Sequence, residues 1–484
     1  MEVEARPQSS PANRRQRSGC LTCRDRKKRC DQNYPVCDAC RRLNFVCRRE
    51  DPQRPRKPGR PRRPSPMANS PKPASCACLS TRVPDISAFW LQNGAGGASA
   101  DDHAPRRRLI LRYYTQALAA LITTNVENNC FLSVFLPLAM DSPVFLDTIL
   151  AWSSTHLALR DESYQSLALQ CRGTALRSLA ASLPSLQRQP EIGLACCLVQ
   201  CALESVSGDT KQWYTHIEGA HQIIRSACSP AEGKSTTQLD LRPFSSFEGT
   251  WLLRSFAYHD IMTTVAEDRK PLIVAGHYWL FHEQEPPDSL FGLGSKVMYL
   301  VSETSVLNVD MLECTDELRR RPDFVERAQQ LEAELLSWQC GGPSTTGAAQ
   351  SDDLVKLAEM YRNAALIHLY RAMRRNRIAE NTSIERKIDA AVAGIIERLR
   401  SIPEKCLVES SLLFPLFMSG GETSDPELIE IIRRRMQDII DFRHFRNFAA
   451  ALKVLEELWH LRLSGRDLDW RDVLDRKKWM LSIT

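Results

Sequence analysis

"CLTCRDRKKRCDQNYPVCDACRRLNFVC" (20–47) sets six cysteines in two matching halves, Cys20-x2-Cys23-x6-Cys30 and Cys37-x2-Cys40-x6-Cys47. Between Cys23 and Cys30 stand Arg24, Arg26, Lys27, Lys28 and Arg29 against one acid, Asp25. Thiols beside that much positive charge ionise easily. Cys-x2-Cys pairs suit a tetrahedral metal, and thiolates at this spacing favour zinc. One zinc with four cysteines would strand two. Two separate tetrahedral sites need eight ligands, whereas two zinc ions that share two thiolates need only six. The sharing cysteines would be the first of each half, Cys20 and Cys37. The cluster is then net negative, which the neighbouring bases offset while still facing a phosphate backbone.

Disulfides and redox chemistry explain the pattern less well. The opening "MEVEARPQSS" carries acids where a secretory signal needs a basic and then an apolar stretch. The 17 cysteines are therefore expected in a reducing compartment, where lasting disulfides are rare. A redox Cys-x2-Cys would also want a strand–helix context. The longest apolar stretches, "FLSVFLPLAM" (131–140) and "GLACCLVQCAL" (193–203), fall short of the ~18 residues of a membrane span, so no membrane partner is expected.

Charge is divided along the chain. Residues 1–66 hold 19 Lys/Arg against 7 Asp/Glu, and the rest holds 45 against 51. A basic head on an acidic body points to a polyanion for the head, with nucleic acid foremost.

Beside the cluster the sequence predicts a disordered tail over 1–19 and a disordered linker over 48–104, rich in Pro, Arg, Ser and Gly. In the linker Pro52, Pro55, Pro58, Pro61 and Pro64 recur every third residue, the period of polyproline II. Arg54, Lys57, Arg60 and Arg63 share that period. "RKPGRPRR" (56–63) resembles an AT-hook, which would place Arg60 in an A·T minor groove; a plain basic linker or import signal is the other reading.

From about 105 to 484 the chain reads as an all-helical bundle or array. Phe448, Leu452, Leu455 and Trp459 step by four, three and four along one face, and Ser424 with Glu427 resembles a capping box opening that helix. Cys196, Cys197 and Cys201 sit in an apolar helix as core residues or as a soft-metal or redox sensor. Cys76 and Cys78 read as spare thiols. "HIEGAH" (216–221) is not a metalloprotease motif, because its histidines are five apart instead of four. "DLDWRDVLD" (467–475) suits either an acidic activation segment or a terminal helix docked through Leu468, Trp470 and Leu474. No phosphate loop or nucleophile–base pattern is found, so no enzyme is expected.

The cysteine segment resembles the zinc binuclear cluster of fungal transcription factors, including Pro35 two residues before the fourth cysteine. "WYTHIEGAHQII" and "FEGTWLLRSFAYHDIM" (247–262) resemble the helical regulatory domain that accompanies many of them. The resemblance implies a nuclear, sequence-specific regulator of RNA polymerase II transcription that binds double-stranded DNA at CGG-type sites. It implies co-regulators or transcription machinery as partners, a small-molecule effector of unknown kind, and control of a metabolic or secondary-metabolite pathway. By position, Arg26 and Lys27 would contact bases, Lys27 foremost, since Lys and Arg donate to guanine O6 and N7. Arg24, Lys28, Arg29, Arg41 and Arg42 would clamp phosphates. A competing reading makes the helical body the working part of an interaction or metabolic protein, tethered to chromatin by the cluster. Convergent polar residues in a pocket would favour that reading, and an apolar cavity or none would favour regulation.

Overall fold

The computed structural model describes Cys20, Cys30, Asp31 and Cys37, and then 103–186, 188–228, 241–273, 287–314, 322–340, 352–378, 380–466 and 468–484. The chain divides into two compact units, 1–76 and 77–484. The tail 1–19, the linker up to 102, its proline ladder, Cys76 and Cys78 lie outside the described residues. The first described helix already starts at His103, two residues inside the expected linker.

The larger unit is helical, and its only described strand-like feature is a single bridge between Asp288 and Gly292. Helix α1 runs from His103 to Leu121 through a π-turn at Tyr114–Leu118. Then follow α2 (Cys130–Ser133), α3 (Phe135–Asp141), α4 (Pro143–Arg160), α5 (Gln165–Leu186), α6 (Pro190–Ser207), α7 (Gln212–Ala227) and α8 (Phe247–Glu267). Beyond them lie α9 (Ser295–Leu312), α10 (Pro322–Ser337), α11 (Asp352–Arg375), α12 (Asn381–Ser401), α13 (Leu413–Glu422), α14 (Pro426–Arg443), α15 (Arg446–Leu463) and α16 (Trp470–Lys477). Short connections make pairs of sequence neighbours, α4 with α5, α6 with α7 and α11 with α12. Helices α8 and α11 are buried on almost every side although both carry charged residues, Arg254 and Asp260 in α8 and Arg371 in α11, which are buried with them.

The helix boundaries follow local chemistry. Ser142 caps α4 by accepting from the Phe145 N–H, with Pro143 at the first helical position. Gly208 ends α6 at φ 80°, and a Cβ there would stand 2.8 Å from the Arg446 Cβ. The capping box expected at Ser424 is corrected. Asp425 is the cap, accepting from the Glu427 N–H. The helix it opens ends at Arg443, with His444 left-handed at φ 57°. The face from Phe448 to Trp459 therefore belongs to the separate helix α15, which buries all four residues.

The 467–475 stretch docks. Trp470, Val473 and Leu474 of α16 are buried against the bundle, while Asp469 and Asp472 form a capping box instead of facing solvent together. Asp469 also accepts two bonds from Arg371 Nη2 at 2.8 Å, and Arg371 pairs with buried Glu422, which Arg374 reaches at 2.8 Å. The Arg371 guanidinium lies 4.5 Å over the Trp470 ring. Burial alone would raise the Asp469 carboxyl, but Arg371 outweighs it and holds the group down at about 2. Arg371→Met should cost about 3–5 kcal/mol in urea unfolding, because it takes from Asp469 the cation that holds α16 and leaves Glu422 with Arg374 alone. A loss under 1 kcal/mol would show the network to be dispensable.

Candidate metal centre

Of the six cysteines, the described residues place three together. The sulfurs of Cys20, Cys30 and Cys37 lie within 4.8 Å of one another. Cys20 and Cys37 are buried, Cys30 half-buried. The Cys20 and Cys37 Sγ atoms are 3.7 Å apart. That is far beyond the ~2.05 Å of a disulfide. It matches the edge of a tetrahedron about a zinc ion, ~3.8 Å for Zn–S bonds of ~2.3 Å. The donor set therefore fits zinc. These two sulfurs, 17 residues apart, come from the start of each half, so the fold closes the halves on each other. The remaining expected ligands, Cys23, Cys40 and Cys47, lie outside the described residues. So do the expected DNA contacts Arg24, Arg26, Lys27, Lys28, Arg29, Arg41, Arg42 and Arg60.

The other cysteines behave differently. Cys196 and Cys201 are fully buried in α6 and Cys197 half-buried. Burial pushes the Cys196 and Cys197 thiols up to about 12 and Cys201 higher still. Thiols held protonated in an apolar helix are packing residues. His216 and His221 lie along α7, and burial depresses both. Neither belongs to a metal-type cluster among the described residues.

Among the described residues of the body is a partly open cavity of about 90 Å³. It lies where α4, α6 and α8 meet the segments around Phe131, Leu290, Ser411 and Phe445. Its wall is apolar and aromatic, and no Lys, Arg, Asp or Glu lines it. Sequence reasoning missed this site, because its residues come from nine separate stretches of chain. It also missed the buried ion network, although Arg371 within "LIHLYRAM" interrupts an apolar helix and was a visible signal.

A thiolate cluster on a basic sequence, joined to a large helical body, defines a zinc-cluster DNA-binding regulator. The chain belongs to the family described as the fungal specific transcription factor domain, whose model matches residues 108–484. Residues 18–57 match the fungal Zn(2)-Cys(6) binuclear cluster domain, which spans all six cysteines. The chain is similar to the transcriptional activator protein UGA3 of Saccharomyces cerevisiae, at 24% identity over 92% of this chain and 93% of the relative. It is also similar to the pestheic acid cluster transcriptional regulator 3 of Pestalotiopsis fici, at 19% identity over 95% and 97%. Within the cluster alone it is 54% identical over 37 residues to the zinc cluster transcription factor CZF1 of Candida albicans, 8% of this chain and 10% of that protein. No solved structure matches. The chain is thus a zinc-binding, DNA-binding transcriptional regulator of the fungal type. None of the described helices is long and apolar enough to cross a membrane.

Proposed function

We propose that the chain acts in the nucleus as a sequence-specific regulator of RNA polymerase II transcription, reading CGG-type sites through a cluster of two zinc ions. The observation that carries this is the 3.7 Å approach of the Cys20 and Cys37 sulfurs, the spacing of two thiolates on one metal. Six ligands then serve two ions with Cys20 and Cys37 shared, and Cys23, Cys30, Cys40 and Cys47 terminal. The cluster domain spans 20–47, the linker 48–102 and the regulatory body 103–484. The largely apolar cavity, lined by no Lys, Arg, Asp or Glu side chain, favours regulation over a catalytic body. The name of the Pestalotiopsis fici relative supports a metabolic or secondary-metabolite pathway as the controlled process.

In this reading Lys27, with Arg26, addresses guanine edges. Arg24, Lys28, Arg29, Arg41 and Arg42 hold phosphates, and Arg60 enters an A·T-rich minor groove beside the triplet. Lys27→Ala in the full chain should relax preference at one guanine in a randomised-DNA selection, by about 1–3 kcal/mol. Arg24→Ala should weaken all sequences alike and lower the salt slope of log K by about 0.9. Unchanged preferences after Lys27→Ala would remove that residue from the recognition set.

A further inference from the structure

We propose that the outer face of α5 is a pairing surface for a second copy of this chain, the two α5 helices lying antiparallel. The helix carries two apolar stripes. Its inner one, Cys171, Ala175, Leu179 and Leu186, packs into or against the core of the body. Its outer one stays open. Leu169, Leu176 and Leu183 are 60%, 50% and 57% exposed, three of the eight large hydrophobic side chains that the described residues expose. The three recur every seventh residue, and Ser166, Gly173 and Ala180 alternate with them at steps of three and four. That is the 3.5-residue repeat of a helix that winds about a second helix.

The stripe fits itself. Laid antiparallel, two such helices have a register in which Leu169 faces Ala180 of the second copy, Leu176 faces Gly173 and Leu183 faces Ser166. The two-fold supplies the converse contacts, so every leucine of either copy enters the hole over a small residue. A parallel pair would set leucine on leucine and glycine on glycine, leaving voids that close packing disfavours. Small residues also let the backbones approach, towards the short end of the ~8–10 Å usual between helices. Charge points to no other occupant. Helix α5 contains no Asp or Glu, and of its two arginines Arg172 is tied to Glu204 at 2.6 Å. Arg177 folds back along the helix to the Thr174 hydroxyl at 3.4 Å. Recognition of the stripe is therefore by shape, and the shape that complements it is its own. From Ser166 to Leu183 the seam is about 26 Å long. That is short for an obligate dimer, so the pair should dissociate on dilution.

The test follows the mass of the zinc-loaded full chain by sedimentation equilibrium across a hundredfold range of concentration. Mass should rise from one chain to two and no further, because the pairing closes on itself. Leu176→Glu should weaken pairing at least tenfold with far-UV circular dichroism unchanged. Should it misfold, Leu176→Ala should still weaken pairing several-fold. Gly173→Leu separates this seam from a merely sticky apolar patch. It adds apolar surface, and in the single chain a Cβ there meets only the movable end of Arg177, at 3.3 Å. It should nonetheless weaken pairing at least tenfold, by filling the hole that receives Leu176. Direction is read from a mixture of Leu176→Glu and Gly173→Lys chains. Neither should pair with itself, but together they should. One layer then holds an acid–base couple, and the other keeps its original leucine and glycine. A single chain at every concentration, unaltered pairing by Leu176→Glu, tighter pairing by Gly173→Leu, or no rescue in the mixture would overturn the seam. None of these readouts uses DNA, so they stand or fall apart from the DNA selections.

Discussion

Replacing Cys37 by serine is expected to abolish specific DNA binding by the full chain while the helical body melts as before. Cys37 is fully buried, and its sulfur touches that of Cys20 at 3.7 Å. As a shared ligand it would serve both ions, so its loss should release both. Metal binding in so short a segment is folding energy, about 10–16 kcal/mol for structural zinc sites. Nothing else in 20–47 replaces it, because the segment is mostly charged and polar between its cysteines. Affinity should fall to the non-specific level, roughly 10³-fold or more weaker. Elemental analysis should drop from two zinc ions per chain towards none. Cys30→Ser, removing a terminal ligand, should weaken one ion only. Cys196→Ser, deep in α6, should leave the zinc count at two. Retention of both ions by Cys37→Ser would refute the shared-thiolate arrangement.

Those contrasts mirror what was legible in the sequence. The metal centre could be read because ligand chemistry demands fixed residue types at fixed spacing, and Cys20 and Cys37 do come together. The helical class was equally readable, since the face from Phe448 to Trp459 repeats at helical period. Its boundaries were harder. Asp425 outcompetes Ser424 as cap by one residue, and a left-handed His444 divides what read as one helix, a choice made by tertiary packing. The cavity was not readable at all. Phe131, Trp152, His259 and Asn447 look like ordinary core residues until the fold gathers them. The buried histidines were missed for the same reason, and they govern how the body meets acid.

Acidification from pH 7 to pH 5 is expected to destabilise the helical body by several kcal/mol through His156, His259 and His368. His156 shows why. Its Nε2 lies 2.8 Å from the Arg443 carbonyl oxygen, which can only accept, so Nε2 carries the proton. Nδ1 must then accept from the Tyr113 hydroxyl, also at 2.8 Å, which fixes a neutral ring. Burial, helped by the positive charges of Arg160, His444 and Arg443, holds its pKa at about 3 despite the favourable Arg443 carbonyl. His368 is likewise held at about 3 by burial and by Arg371, Arg471 and Arg375, against the opposing pull of Asp268. Burial alone keeps His259 at about 4. Unfolded, all three titrate near 6.5. The folded pKa is the lower one, so below pH 6.5 the unfolded chain takes up protons that the folded chain refuses, and stability falls with pH. At pH 5 each histidine should account for about 2 kcal/mol, about 6 together, comparable to the whole stability of many domains. The carboxyls of Asp260 and Glu409, raised by burial, act in the opposite sense, so the histidine share needs isolating. His156→Gln does this, since an amide can donate to Arg443 and accept from Tyr113 without titrating. Urea unfolding of that variant between pH 7 and 5 should show a pH slope smaller by about one proton, ~1.4 kcal/mol per pH unit. An unchanged slope would mean that His156 takes a proton in the folded body, contrary to the bonds that hold it.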